Sequence, residues 1–145
     1  MAGALSRDTS RGQLVPLVFG QTDLAATQTD AQLVVAIAES AQANTGYVMP
    51  FDGNVVAVSW DFTAAPTAGT GTIGATINGT EDADTRSSIT VDSATTTGRL
   101  RVQRGKAVFT AGQSIGVELT TDGSFAPITA DLSVVVWVLL DVDGI

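Results

Sequence analysis

Asn54-Val55-Val56-Ala57-Val58-Ser59-Trp60-Asp61-Phe62 is the stretch from which the fold can be read. Side chains of an extended chain point alternately to opposite faces. On that spacing Val56, Val58, Trp60 and Phe62 share one face, and Val55, Ala57, Ser59 and Asp61 share the other. β-Branched and aromatic residues dominate the first set, so the segment reads as a half-buried strand. Asp52-Gly53, just before it, is a turn signal.

The same pattern continues downstream. A Pro/Gly/Thr loop over 64–71 leads to a strand at 72–77, and Asn78-Gly79 marks the next turn. Further strands are expected at 87–91, 99–103, 106–109 and 114–121, the last closed by Asp122-Gly123. The final strand, 131–142, is apolar on both faces through 134–140, which places it inside a sandwich or beneath another subunit. Upstream, Val34, Val35 and Ile37 are β-branched within a short run over 33–38, which favours strand over helix. A Ser/Gln/Asn/Gly loop over 39–46 separates it from Tyr47-Val48-Met49-Pro50.

Leu14-Val15-Pro16-Leu17-Val18-Phe19 is apolar but interrupted by a proline, which has no N–H and suits an edge strand or an extended arm. Residues 1–13 are small and polar and have no periodicity, so taken alone they read as a flexible tail, and any order in them must come from lying against something outside their own core, most simply a neighbouring subunit. These readings predict an all-β, jelly-roll-like sandwich of about eight strands over 21–145, preceded by an extended N-terminal arm over 1–20.

Composition narrows the chemistry. The 145 residues include no Cys, no His and a single Lys, with 15 acidic residues against 7 basic ones. Without Cys there is no disulfide framework, thiol nucleophile or thiolate metal site. Without His the commonest general base and transition-metal ligand are missing. No enzyme and no cofactor are therefore expected. A formal charge of −8 argues against a nucleic-acid binder, which needs a basic face. The N-terminal residues lack a signal-peptide core because Arg7, Asp8 and Arg11 interrupt them. The longest apolar run, 132–140, is far shorter than the ~20 residues of a membrane helix. Charged residues make up only 15% of the chain, against a usual ~25%. That deficit points to surface covered by other chains.

Several constellations could carry chemistry. Glu81, Asp82 and Asp84 form the densest acidic cluster, which reads either as a solvated loop or as a weak cation site without EF-hand spacing. Arg99 and Arg101 alternate with Leu100 and Val102, so both should project from one strand face, near Arg104 and Lys106. They are either a solvated face or acceptors for carboxylates on an adjoining chain, since arginine suits bidentate pairing. A Ser–Lys nucleophile would depend on Lys106, and no motif places a serine beside it. Trp60 and Trp137 lie in apolar strands and are expected in the core, although exposed aromatics could stack on sugars. Asn78-Gly79-Thr80 matches a glycosylation sequon and reads better as a turn.

The segment 46–56 (GYVMPFDGNVV), the alternating strand after it, the element 109–117 (FTAGQSIGV) and the long closing strand together resemble bacteriophage virion jelly rolls. The likeness spans about 46–142 and is similar to two classes, head decoration (cement) proteins and receptor-binding heads of tail fibres or baseplates. Either class implies a homotrimer. A short chain with an N-terminal arm is more similar to the decoration class. The resemblance then implies a virion protein on the capsid exterior that bridges major capsid protein subunits, with no nucleic-acid or membrane partner. The alternative is a receptor- or carbohydrate-binding head. Candidate interface residues are Leu5, Arg7, Arg11, Leu14, Val15, Leu17, Val18 and Phe19 of the arm, with Arg99 and Arg101.

Overall fold

The computed structural model describes residues 12–35, 46–89 and 96–142. The chain runs through β1 (Gln13–Gln21), β2 (Ala31–Gln32), β3 (Val34–Val35), β4 (Tyr47–Val48), β5 (Gly53–Phe62), β6 (Gly71–Ile77) and β7 (Thr80–Glu81). A 3-10 turn at Ala83–Thr85 follows, and then β8 (Ser87–Ile89), β9 (Thr97–Arg101), β10 (Val108–Phe109), β11 (Ser114–Thr121) and β12 (Leu132–Leu140). All strand pairings among the described residues are antiparallel.

Two sheets result. In the first, β12 lies between β1 and β5, β3 extends β1, and β9 and β10 both pair with β5. In the second, β11 and β6 are central, β2 and β4 pair with β11, and β7 and β8 pair with β6. Where short strands share one partner they occupy a common lane, so the described strands make five lanes in the first layer and four in the second. Successive segments cross between the layers, which makes the fold a jelly-roll sandwich.

The core lies between the sheets, and β12 sets its pattern. Leu132, Val134, Val136, Val138 and Leu140 are buried. The residues between them, Ser133, Val135, Trp137 and Leu139, point outward and are exposed or half-buried. Across the core the second sheet contributes Ile73, Ala75, Ile115, Val117 and Leu119, all 0% exposed. Each large aliphatic side chain buried in this way contributes about 1.5–3 kcal/mol. The apolar character of β12 on both faces therefore corresponds to one buried face and one face only partly covered by its own chain.

The alternation predicted for β5 holds along only part of its length. Trp137 pairs with Ala57 but Val138 pairs with Val55, so Val56 is an extra residue in a β-bulge. The bulge resets the phase. Val55 and Val58 are both fully buried, whereas Val56 is half-buried, and the expected grouping of Val56 with Val58 is corrected accordingly. Gly53 opens this strand because an added Cβ would lie 2.5 Å from the Leu139 carbonyl oxygen and 2.7 Å from the Phe109 ring.

The first sheet takes up the apolar segment for which the sequence offered an edge strand or an extended arm. Residues 13–21 are not free: they pair with β12 along the whole of β1, from Gln13↔Leu140 to Gln21↔Leu132. Leu17 (7% exposed) and Phe19 (1% exposed) enter the core of their own chain. Phe19 meets Tyr47 edge-to-face at 5.4 Å, and the Tyr47 hydroxyl donates to the Val18 carbonyl. Pro16 fits because β3 covers β1 only at Phe19 and Gly20, leaving the other edge of Pro16 without a strand partner among the described residues. The strand expected over 33–38 is likewise divided. Within that range β3 covers only Val34–Val35 in the first sheet, β2 precedes it in the second with buried Leu33 at the crossing, and 36–38 lie outside the described residues.

Turns are pinned by short acidic and amide side chains. Asn78 (φ 52) and Gly79 (φ 78) form the β6–β7 turn, which needs two left-handed residues, and Asn78 Oδ1 accepts the Ser114 N–H at 2.9 Å. Asp122 accepts from the Thr70 N–H and hydroxyl and from the Ser124 N–H, and these bonds hold its carboxyl below the usual range. Asp52 accepts the Ala111 N–H, and Asp131 the Asp23 N–H.

Candidate interaction surface

Register places outward side chains of the first sheet in rows. One row runs Val18, Val135, Ser59, Arg99, and the next runs Pro16, Trp137, Ala57, Arg101. A third runs Leu14, Leu139, Asn54, Val108. The outer face is therefore apolar along β1 and β12, small along β5 and cationic along β9. Leu14 is 54% exposed, Val18 45% and Val108 52%. Trp137, Val135 and Leu139 are half-buried with no strand layer over them among the described residues.

Between the apolar side chains of β12 and the arginines of β9 lies a dish of about 580 Å³ lined by Ser59, Trp60, Asp61, Thr97, Gly98, Arg99, Ser133 and Val135. Its floor is low because β5 presents Ala57, Ser59 and Asp61 there. Arg99 and Arg101 share this face, as their alternation predicts, and both are exposed. Arg104 and Lys106 follow in the turn to β10, where Asn54 Oδ1 accepts the Gly105 N–H. The ion pair found among the described residues is Arg86–Glu81, so none of these four cations has a carboxylate partner there.

The outer face of the second sheet is built differently. It carries Thr72, Thr76, Thr120, Gly74, Gly116 and Glu118 at register positions facing Gln32, Glu81 and Ser88. Thr76 (1% exposed) and Glu118 (8% exposed) are covered by groups of the same chain. Glu81 folds over Gly74, whose missing side chain leaves room for it, and accepts from Arg86 Nε at 2.8 Å. This pairing raises the Arg86 pKa. Gln32 Nε2 donates to Glu118 at 3.3 Å, and Asp30 sits beside Thr120. Burial, with Glu81 and Asp30 adding repulsion, pushes the Glu118 carboxyl up to about 7.

The acidic cluster singled out in the sequence is dispersed by this arrangement. Glu81 turns to Arg86, and Asp82 caps the 3-10 turn by accepting the Asp84 N–H. Among the described residues no group of three or more Asp and Glu is placed to hold a metal ion. Leu5, Arg7 and Arg11 lie outside the described residues. Of the remaining arm candidates, Leu14 and Val18 face outward, Val15 is half-buried against the core, and Leu17 and Phe19 belong to the core itself. Trp60 and Trp137, expected in the core, are both half-buried. Trp60 lies against Gly98, where an added Cβ would fall 2.2 Å from the indole. Val108, Val135 and Trp137 were not among the sequence candidates, although the doubly apolar run over 134–140 carried a signal for two of them. Glu118 was missed because a lone Glu in a strand normally points to water. No helix among the described residues is long and apolar enough to cross a membrane.

No protein-family model matches the chain, and no curated protein is similar to it in sequence. Comparison with solved structures finds a shared fold. A chain from the capsid of Helicobacter pylori bacteriophage KHP30 superposes with a TM-score of 0.52 at 13% identity, over 90% of each chain. A chain from the cyanophage Pam1 capsid asymmetric unit gives 0.48 at 14% identity, over 90% of this chain and 86% of the other. A chain from the Israeli acute paralysis virus particle gives 0.41 at 12% identity, over 92% and 75%. The first of these is a likeness of fold.

Proposed function

We propose that this chain is a structural protein of a phage head that decorates the outer surface of the capsid and bridges major capsid protein subunits. The observation that carries this reading is the outer face of the β1–β12–β5–β9 sheet, where apolar and cationic side chains stand uncovered on a protein otherwise poor in charge. Such a face gains from burial against another chain. The shared fold with a chain of a bacteriophage capsid supports the setting. Residues 1–12 then supply the arm, with Leu5, Arg7 and Arg11 as its anchors on a neighbour. Three copies around a local three-fold axis bring several weak contacts to bear at once, and multivalency strengthens each of them.

Binding to stripped heads of the parent phage tests the proposal. The full chain co-sediments with such heads and raises the temperature at which they lose DNA. A chain lacking residues 2–11 binds more weakly and protects less. Absence of co-sedimentation by the full chain contradicts decoration, and equal binding by the truncated chain removes the arm from it.

A second reading, a receptor- or carbohydrate-binding head, draws on the half-exposed Trp137 beside the dish and on Trp60 within it. It predicts saturable binding of the purified protein to host cells or glycans, whereas the decoration reading predicts none.

A further inference from the structure

We infer that the trough along β5, between the Val135/Trp137 wall and the Arg99/Arg101 wall, receives an extended segment of a partner protein in which acidic and apolar residues alternate. This deepens the decoration reading by naming the docking face and the chemistry of its occupant.

Three features of the trough select that occupant. The first is width. β12 and β9 flank β5, so their side-chain rows stand about 10 Å apart, enough for one extended chain but not for a helix with its side chains. The second is spacing. Arg99 and Arg101 are two residues apart on one strand, about 7 Å, which is also the distance between side chains at alternate positions of an extended partner. The third is asymmetry. One wall is apolar and the other cationic, and an extended chain lying in the trough sends successive side chains to opposite walls. Carboxylates then meet guanidinium groups in the bidentate geometry that arginine favours, and the apolar residues meet Val135 and Trp137.

Charge gives the trough a direction as well. Asp61 stands at the Thr97 end, and the exposed Arg104 and Lys106 follow Arg101 in the turn to β10. The acidic part of the partner therefore lies toward the β9–β10 turn. Four cations within eight residues repel one another unless an anionic partner offsets them, and no carboxylate among the described residues does so. A nucleic acid fits poorly, because the remaining charge of the protein is strongly negative.

The test uses the full chain and three probes: an octapeptide alternating Asp and Val, the same peptide with Asn for Asp, and a single-stranded oligonucleotide. Tryptophan emission reports occupancy through Trp137, on the apolar wall, and Trp60, which lines the dish. The Asp/Val peptide is expected to produce a saturable change that weakens about tenfold as salt rises from low to physiological levels. The Asn/Val peptide binds at least tenfold more weakly. The double variant Arg99→Glu/Arg101→Glu loses the response while its melting temperature is retained, and Arg99→Lys/Arg101→Lys keeps part of it. The inference is overturned by no saturable response to the Asp/Val peptide, by equal binding of both peptides or of the Glu variant, or by preference for the oligonucleotide. Concentration-dependent self-association that blocks the trough also overturns it, since the occupant is then a second copy. Peptide binding without any binding to phage heads removes the decoration reading and leaves the trough intact.

Discussion

The two outer faces of the sandwich solve the same problem in opposite ways. On the second sheet, charged groups find partners within the chain: Glu81 with Arg86, Glu118 with the Gln32 amide N–H, and the Asp30 carboxylate with Thr120, although the buried Gln32 Oε1 has no partner among the described residues. On the first, Leu14, Val18 and Val108 stand exposed, and the arginines of β9 have no carboxylate partner among the described residues. A face that covers itself has little to gain from a neighbour, whereas the other forfeits burial and charge pairing until one arrives. On the proposed function, interaction belongs to one side of the molecule.

The largest effect concerns the strand that supports the open face. Phe19→Ala removes a nearly fully buried ring from β1 and is expected to cost about 3–5 kcal/mol in a urea titration. A loss below about 1 kcal/mol would mean that β1 is a detachable arm and that its outward residues are not held in a fixed face.

The next effect belongs to the covered face. Glu118 has a pKa of about 7 in the folded protein, above its ordinary value of 4.5, because burial and the facing Glu81 and Asp30 disfavour its charge, while Gln32 partly offsets them. A raised folded pKa leaves stability fully present below the ordinary value and removes it as pH rises through about 7. Glu118→Gln should therefore be more stable than the parent by roughly 1–3 kcal/mol at pH 8.5 and nearly equal to it at pH 4. Parallel pH–stability curves for the two proteins would show that Glu118 is not covered as described.

The smallest effect on folding should accompany a clear effect on binding. Leu14→Thr/Val18→Thr keeps strand propensity and changes exposed positions, so stability should move by no more than about 0.5 kcal/mol while co-sedimentation with heads weakens severalfold. A matched change on the second sheet, Thr72→Ser, should leave head binding unchanged. If the two variants bind heads alike, the contrast between the faces has no functional meaning.

How much of this was legible depended on whether local chemistry alone decided a position. The turns at Asn78-Gly79 and Asp122-Gly123 and the alternation placing Arg99 with Arg101 follow from backbone sterics and strand period, and the structure carries them. β1 resisted reading because Leu14 and Val18 are as apolar as Leu17 and Phe19, so no alternation distinguished the core face from the docking face, and Pro16 suggested an arm. The bulge at Val56 and the change of sheet at Leu33 depend on how strands pair at long range, which no local window contains. Asp52, Asp122 and Asp131 also show why the chain is acidic: short carboxylates are used to cap turns, so part of the −8 charge has a local structural use. The trough emerged only when register set β12, β5 and β9 side by side.

The central claim is that the outer face of the β1–β12–β5–β9 sheet meets the shell. A cryo-electron microscopy map of heads saturated with the protein, at a resolution that orients the sandwich, tests it most directly. The account predicts that Trp137, Arg99 and Arg101 point into the capsid surface and that Glu118 and Thr76 face away from it. A map in which the Thr76–Glu118 face lies against the shell, with Trp137 turned to solvent, would contradict it.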